Sequence, residues 1–91
     1  MKNEFYIMIR NNLWVGCVGK LFTDANGHCY FDDYFNNEYD IDLGDNMEQG
    51  KQKIINYLLN DFPREVDPFY DCKISDISFL SEDEYRYYSY Y

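Results

Sequence analysis

Leu21-Phe22-Thr23-Asp24-Ala25-Asn26-Gly27-His28-Cys29-Tyr30-Phe31 is the segment from which the architecture follows. Asn26-Gly27 lies between two apolar runs, and both residues tolerate positive φ, so the stretch predicts a β-hairpin. Upstream, Leu13 to Thr23 reads as one long strand with Trp14, Val15, Val18, Leu21 and Phe22, and a bulge or bend is expected at Gly16 and Gly19. Before it, Asn3 to Arg10 alternates Phe5, Ile7 and Ile9 with Tyr6, Met8 and Arg10, a strand pattern ended by a turn at Asn11-Asn12. His28 to Phe35 is the returning strand. The three together predict an antiparallel meander.

Downstream of the hairpin, Asn36 to Asn46 is a polar, acidic connection with room for one short strand. Asp45 followed by Glu48 has the spacing of a capping box, ahead of Ile55, Leu58, Leu59 and Phe62 at helical intervals. Pro63 disfavours helical geometry at the residue before it, so this helix should stop near Asp61 with its apolar stripe on the sheet. Tyr70 to Leu80 alternates through Cys72 and Ile74 and then shifts phase to Ile77 and Phe79, which predicts a strand with a bulge near Ser75-Asp76. The expectation is an α+β fold: a small antiparallel sheet in chain order β-β-β-α-β with one helix packed on one face. A further strand from Tyr85 to Tyr91 is the reading for the tyrosine-rich end.

The chain has 91 residues with 17 Asp or Glu against 8 Lys or Arg, for a net charge of -9. A single domain spanning 1–91 is expected. Folding at this length hides roughly 60 to 68% of the unfolded chain's surface, which leaves no room for a deep cofactor cleft. Val, Ile, Leu and Phe together make 23 residues, above the level of disordered chains. The acidic balance argues against binding nucleic acid directly, because that affinity comes from Lys and Arg displacing counterions from phosphates. It equally disfavours anionic membranes and favours a basic protein partner. No apolar run approaches the roughly 20 residues of a membrane span, and Met1 to Arg10 lacks the pattern of a signal peptide, so a cytosolic location is expected. Cys17, Cys29 and Cys72 show no metal or redox spacing, and reduced buried thiols are expected.

The charges are blocked rather than mixed. Residues 1–20 sum to +2, residues 21–50 to -8, residues 51–60 to +2 and residues 61–91 to -5. Such a block is either a solvated face that maintains solubility or a surface suited to a basic groove. Within it, Glu38, Asp40 and Asp42 alternate with Tyr39, Ile41 and Leu43, and in an extended segment same-face residues lie about 6.6 Å apart. That is comparable to neighbouring phosphates along one nucleic-acid strand. Alternating acids also protect edge strands from aggregation. The end of the chain offers a second acidic and aromatic group, Glu82, Asp83, Glu84, Tyr85, Tyr87 and Tyr88, and tyrosine gives large contact area at low entropy cost.

Catalytic and metal chemistry find little support. Asp40-Ile41-Asp42-Leu43-Gly44-Asp45 places Gly one position too early for a calcium loop, and Asp24 to Gly27 fails likewise. His28 is the only imidazole, and its neighbour Cys29 would point to the opposite face of a strand. Cys17, His28, Cys29 and Cys72 contain no close pair suited to tetrahedral zinc. Neither an enzyme nor a cofactor is expected. The residues expected to meet a partner are Asp32, Asp33, Glu38, Tyr39, Asp40, Asp42 and Asp45, with Glu82, Asp83, Glu84, Tyr85, Tyr87 and Tyr88.

In size, acidity, Tyr and Asn richness and want of catalytic residues, the whole chain resembles the small proteins that phages use against bacterial defences, notably anti-CRISPR and anti-restriction DNA mimics. The resemblance is one of profile, with no alignable motif, and carries no residue's role with it. It implies a stoichiometric inhibitor that works in the cytoplasm of an infected bacterium, where it blocks the nucleic-acid-binding surface of a nuclease such as a CRISPR-Cas effector by charge mimicry. An acidic immunity or antitoxin-type module that masks a basic protein is the alternative class. A small ligand binder with a pocket near His28 and Cys29 is a third.

Overall fold

The hairpin and the helix predicted on either side of residue 36 frame a five-stranded antiparallel sheet in the order β4-β3-β2-β1-β5. The strands are β1 (Glu4–Arg10), β2 (Val15–Thr23), β3 (Cys29–Asp33), β4 (Ile41–Gly44) and β5 (Ile77–Leu80), and the helices are α1 (Met47–Asn60), α2 (Phe62–Val66) and α3 (Glu82–Ser89). The structure, a computed structural model, describes residues 3–36 and 38–89.

Local chemistry sets each turn. Asn11 Oδ1 accepts from the N–H groups of Leu13 and Trp14, which reverses the chain between β1 and β2. Between β2 and β3, Asp24 Oδ1 accepts from Asn26 N and His28 N; Gly27 takes φ 86° while Asn26 stays at negative φ, so the predicted hairpin forms with only the glycine in the left-handed region. The expected irregularity in β2 falls between its two glycines: Ile7 pairs with Gly19 while Met8 pairs with Cys17, so Val18 is the extra residue. β3 ends at Asp33 instead of Phe35, because the Asp33 carboxylate accepts from Phe35 N and turns the chain. The short strand in the acidic connection is β4, paired with β3.

The helix begins one residue later than its sequence signal suggests. Asn46 Oδ1 caps Gln49 N, and Gln49 Oε1 in turn accepts from Asp45 N, so Asn46 and Gln49 take the roles expected of Asp45 and Glu48. The buried face is correspondingly rotated: Gly50, Ile54 and Leu58 are buried, with Phe62 from α2, whereas Ile55 and Leu59 are only half-buried. α1 ends at Asn60, where Asp61 N donates to Tyr57 O, and Pro63 enters the first turn of α2. The core lies between α1 and one face of the sheet and contains Ile7, Ile9, Val18, Leu21, Cys29, Phe31 and Leu43 opposite Ile54, Leu58 and Phe62.

Two expectations for the C-terminal third are corrected. The strand predicted from Tyr70 to Leu80 is confined to Ile77–Leu80, because Ile74–Asp76 forms a 3₁₀ turn in which Asp76 Oδ2 accepts from Lys73 N. The further strand expected from Tyr85 is the helix α3, opened by a reciprocal cap in which Ser81 N donates to Glu84 Oε1 and Glu84 N to Ser81 Oγ. Tyr90 and Tyr91, counted in that strand, lie outside the described residues.

Candidate functional site

α1 occupies one face of the sheet, and cross-strand register defines what stands on the other. Directly paired residues share a face, which gives one row of Leu80, Tyr6, Lys20 and Asp32, and a second of Glu4, Phe22, Tyr30 and Asp42. α3 packs on β1 and β5, and the Tyr85 ring stacks on Tyr6 with centroids 4.1 Å apart, which places the helix over the Leu80 end of this face. The β2–β3–β4 half carries Lys20, Phe22, Tyr30, Asp32 and Asp42. Phe22 and Tyr30 lie with centroids 5.8 Å apart and planes 30° apart, both half-buried.

Carboxylates surround this aromatic pair. Partial desolvation, then the negative charges of Asp24, Asp42 and Asp40, push the Tyr30 phenol above its ordinary range. Glu4 forms a 3.7 Å ion pair with Lys20, whose ammonium stands 5.9 Å from the centre of the Phe22 ring. Asp42 is tied to His28 at 2.6 Å and accepts from Gly44 N at 3.0 Å. The His28 bond, followed by the Gly44 N–H, holds the Asp42 carboxyl below the usual carboxylate range. The other ring nitrogen of His28 lies 3.5 Å from Asp45. Because Asp42 and Asp45 face opposite nitrogens, the three do not converge on one point, and no group of three His, Cys, Asp or Glu among the described residues has metal-site geometry.

Glu38, Tyr39 and Asp40 precede β4, so the strand-like ladder expected of Glu38, Asp40 and Asp42 is not formed; only Asp42 lies within the strand. Asp32, Glu38, Tyr39 and Asp40 nevertheless converge on a shallow depression of about 340 Å³. Asp33, grouped with them from the sequence, is fully buried on the α1 side, where Tyr57 donates its hydroxyl to Asp33 Oδ2 at 2.6 Å. It stands with Cys29 and Phe31 on the inward parity of β3 and is unavailable to a partner. At the other end, Glu84 is held by the helix cap and Glu82 pairs with Arg86 at 2.8 Å, while Asp83 is exposed in the first turn of α3. Tyr85 is packed on the sheet, Tyr87 is 63% exposed, and the Tyr88 side chain lies outside the described set. Asp32 and Asp42 of the first predicted group and Tyr85 of the second thus share one side of the sheet, at opposite flanks.

Phe22, Tyr30, Lys20, Asp24 and Glu4 stand on this face without having been singled out in the sequence. Their signal was the inward parity of Leu21, Cys29 and Phe31, which turns Phe22 and Tyr30 outward. Nearer α3, partial desolvation and then the neighbouring Cys17 and Tyr6 push the Tyr34 phenol up to about 12 although the residue is 42% exposed, and burial pushes the Cys17 thiol above its usual range. All three cysteines are free, with Cys29 buried and Cys17 and Cys72 half-buried.

No protein family, curated protein or solved structure matches this chain. Its chemistry must therefore be read from the face itself. That face offers carboxylates, aromatic rings and a lysine, Lys20, tethered to Glu4. Among the described residues, no helix is long and apolar enough to cross a membrane.

Proposed function

We propose that the protein is a non-catalytic acidic inhibitor that occupies the basic nucleic-acid-binding surface of a bacterial defence nuclease, such as a CRISPR-Cas effector, by charge mimicry of nucleic acid. The observation that carries this reading is the placement of Asp32 and Asp42 on the α1-free face, with Asp24 and Asp40 close enough to act on Tyr30 beside them. A basic groove supplies the charges that this concentration of carboxylates lacks, and charge complementarity of this kind raises association rate and specificity. Asp83 and the exposed Tyr87 extend the contact along the α3 flank. The protein acts by occupying the groove and excluding the nucleic acid.

The test is affinity capture from bacterial lysates with and without defence nucleases, followed by a nuclease assay with the captured enzyme. Inhibition should be stoichiometric and should weaken as salt rises, with screening acting over about 8 to 10 Å. Replacing Glu38, Asp40 and Asp42 with Asn or Ser should lower affinity by about 2 kcal/mol or more while leaving the fold intact, with melting lowered only by the loss of the Asp42 bonds to His28 and Gly44 N. A mobility shift with duplex or single-stranded probes at low salt should show no binding by the purified protein. Tight binding to either probe would overturn the reading.

A further inference from the structure

We infer that the α1-free half of the sheet is an arginine-reading face, which docks an extended, arginine-bearing segment of the basic partner with a guanidinium seated on the Phe22–Tyr30 pair between flanking carboxylates. The inference rests on the proposed function for the sign of the partner's charge, and adds the side chain and the place where it binds. One row of the sheet runs Glu4, Phe22, Tyr30, Asp42, so two adjacent rings are bracketed by an acid at each end. Neighbouring strands lie about 4.8 Å apart, which makes this row a strip in which a planar cation on the rings reaches a carboxylate within one further strand. Asp24 and Asp40 supply negative charge near the Tyr30 phenol. Among the described residues, α3 makes its main contacts with β1 and β5 and leaves this half of the face uncovered.

The protein's own cation shows that the patch accepts positive charge. Lys20 Nζ stands 5.9 Å from the Phe22 ring centre while paired to Glu4 at 3.7 Å, and the His28 ring lies 5.0 Å from Tyr30 while bound to Asp42 Oδ1, so a partner's cation would join ring faces and carboxylates that already hold side chains of this kind. Arginine suits the remaining site better than lysine for three reasons. Its guanidinium is planar and stacks on an aromatic ring, its fork of donors matches a carboxylate, and its weaker hydration makes transfer onto a half-buried surface less costly. Same-side residues two positions apart on an extended chain lie about 6.6 Å apart. A segment crossing both rows would therefore set a second basic residue near Asp32 when the first is at Tyr30.

The experiment titrates the full chain with nona-arginine and nona-lysine, which carry equal charge and length, by calorimetry at low and at physiological salt. Arginine is expected to bind at least fivefold tighter, and amide shifts in the nitrogen-15 spectrum of the unaltered protein should centre on Phe22, Tyr30 and Asp42. Phe22→Leu and Tyr30→Leu keep every charge and should each bring the two affinities together. Melting curves identify any variant that fails to fold, and the spectrum of the unaltered chain decides the question without variants. Equal binding of both peptides, or shifts centred away from this face, would overturn the arginine inference while leaving the acidic-inhibitor reading standing. Binding of neither peptide would overturn both.

Discussion

Gly50→Ala should destabilise the protein, although helix propensity alone says the opposite. Gly50 lies inside α1, where alanine is favoured over glycine by about 1 kcal/mol. Its place in the fold reverses the sign. A Cβ added at Gly50 would fall inside van der Waals contact with Cys29 Sγ and 3.0 Å from Cys29 Cβ, with Leu21 Cδ1 at 3.8 Å behind them. Cys29 belongs to β3, which is paired on both sides, so the backbone that carries it has little freedom to retreat. Overpacking of a well-filled core costs about 1 to 3 kcal/mol, and a contact against Cβ on a central strand belongs at the upper end. The net expectation is a loss of about 1 to 2 kcal/mol, equivalent to a melting temperature lower by roughly 5 to 15 °C for a chain of this size. Urea and thermal unfolding measure it directly. Adding Cys29→Ala removes the sulfur and should recover part of the loss, with a coupling of about 1 kcal/mol between the two changes. A Gly50→Ala variant that melts at or above the parent temperature would refute the close approach of α1 to β3.

Tyr57→Phe leaves the fully buried Asp33 carboxylate without its 2.6 Å hydroxyl donor, and urea unfolding should register a loss of about 1.5 to 3 kcal/mol; an unchanged midpoint would mean that the carboxylate does not depend on this bond. Asp42, held below its ordinary range by His28, contributes stability that is fully present above the unfolded carboxylate value of about 3.9 and is lost as pH falls through the lowered folded value. His28→Asn should flatten that acid limb in a series of melts from pH 7 to pH 2, and an unaltered limb would assign it to other carboxylates. Tyr85→Ala removes the stack on Tyr6, so α3 amides should exchange with deuterium faster while α1 amides keep their protection; uniform acceleration would mean that α3 is integral to the main core.

Much of the sheet was legible because its determinants are local. Asp24 to Gly27 carries its turn in four residues, through the Asp24 carboxylate and the positive φ of Gly27, and the alternation of β1 and β3 follows from burying one face. α1 was legible as a helix with Leu58 and Phe62 on its buried side, but Ile54 and Gly50 were missed in favour of the half-buried Ile55 and Leu59, since a hydropathy pattern gives no weight to Gly50, whose value lies in lacking a side chain. The C-terminal tyrosines suggested a strand because aromatic residues favour sheets. The competing local signal was Ser81 with Glu84 three residues on, and that cap decided the conformation. In the candidate site the acids were visible but their sidedness was not. Asp33 looks like Asp32 by composition, yet it shares the inward parity of Cys29 and Phe31, and its partner Tyr57 comes from a different element. Phe22 and Tyr30 were legible as surface only through parity, as the strand neighbours of the inward Leu21, Cys29 and Phe31, and cross-strand register was needed to show that the two rings stand side by side.

The pairing of β5 with β1 joins the first and last strands of the chain, whereas β1 through β4 each lie beside their sequence neighbours. A nascent chain emerging from the ribosome can therefore pair β1 with β2 and β2 with β3 while β5 has yet to be made. During that interval Tyr6, Ile7, Met8 and Ile9, the residues β5 will later pair, present an unfilled strand edge. At roughly 5 to 20 residues per second the gap lasts on the order of seconds, far longer than hairpin formation. Translation speed through the segment after α1 thus becomes a determinant of yield, and slow codons there should divert the chain toward edge-to-edge association before its own last strand arrives.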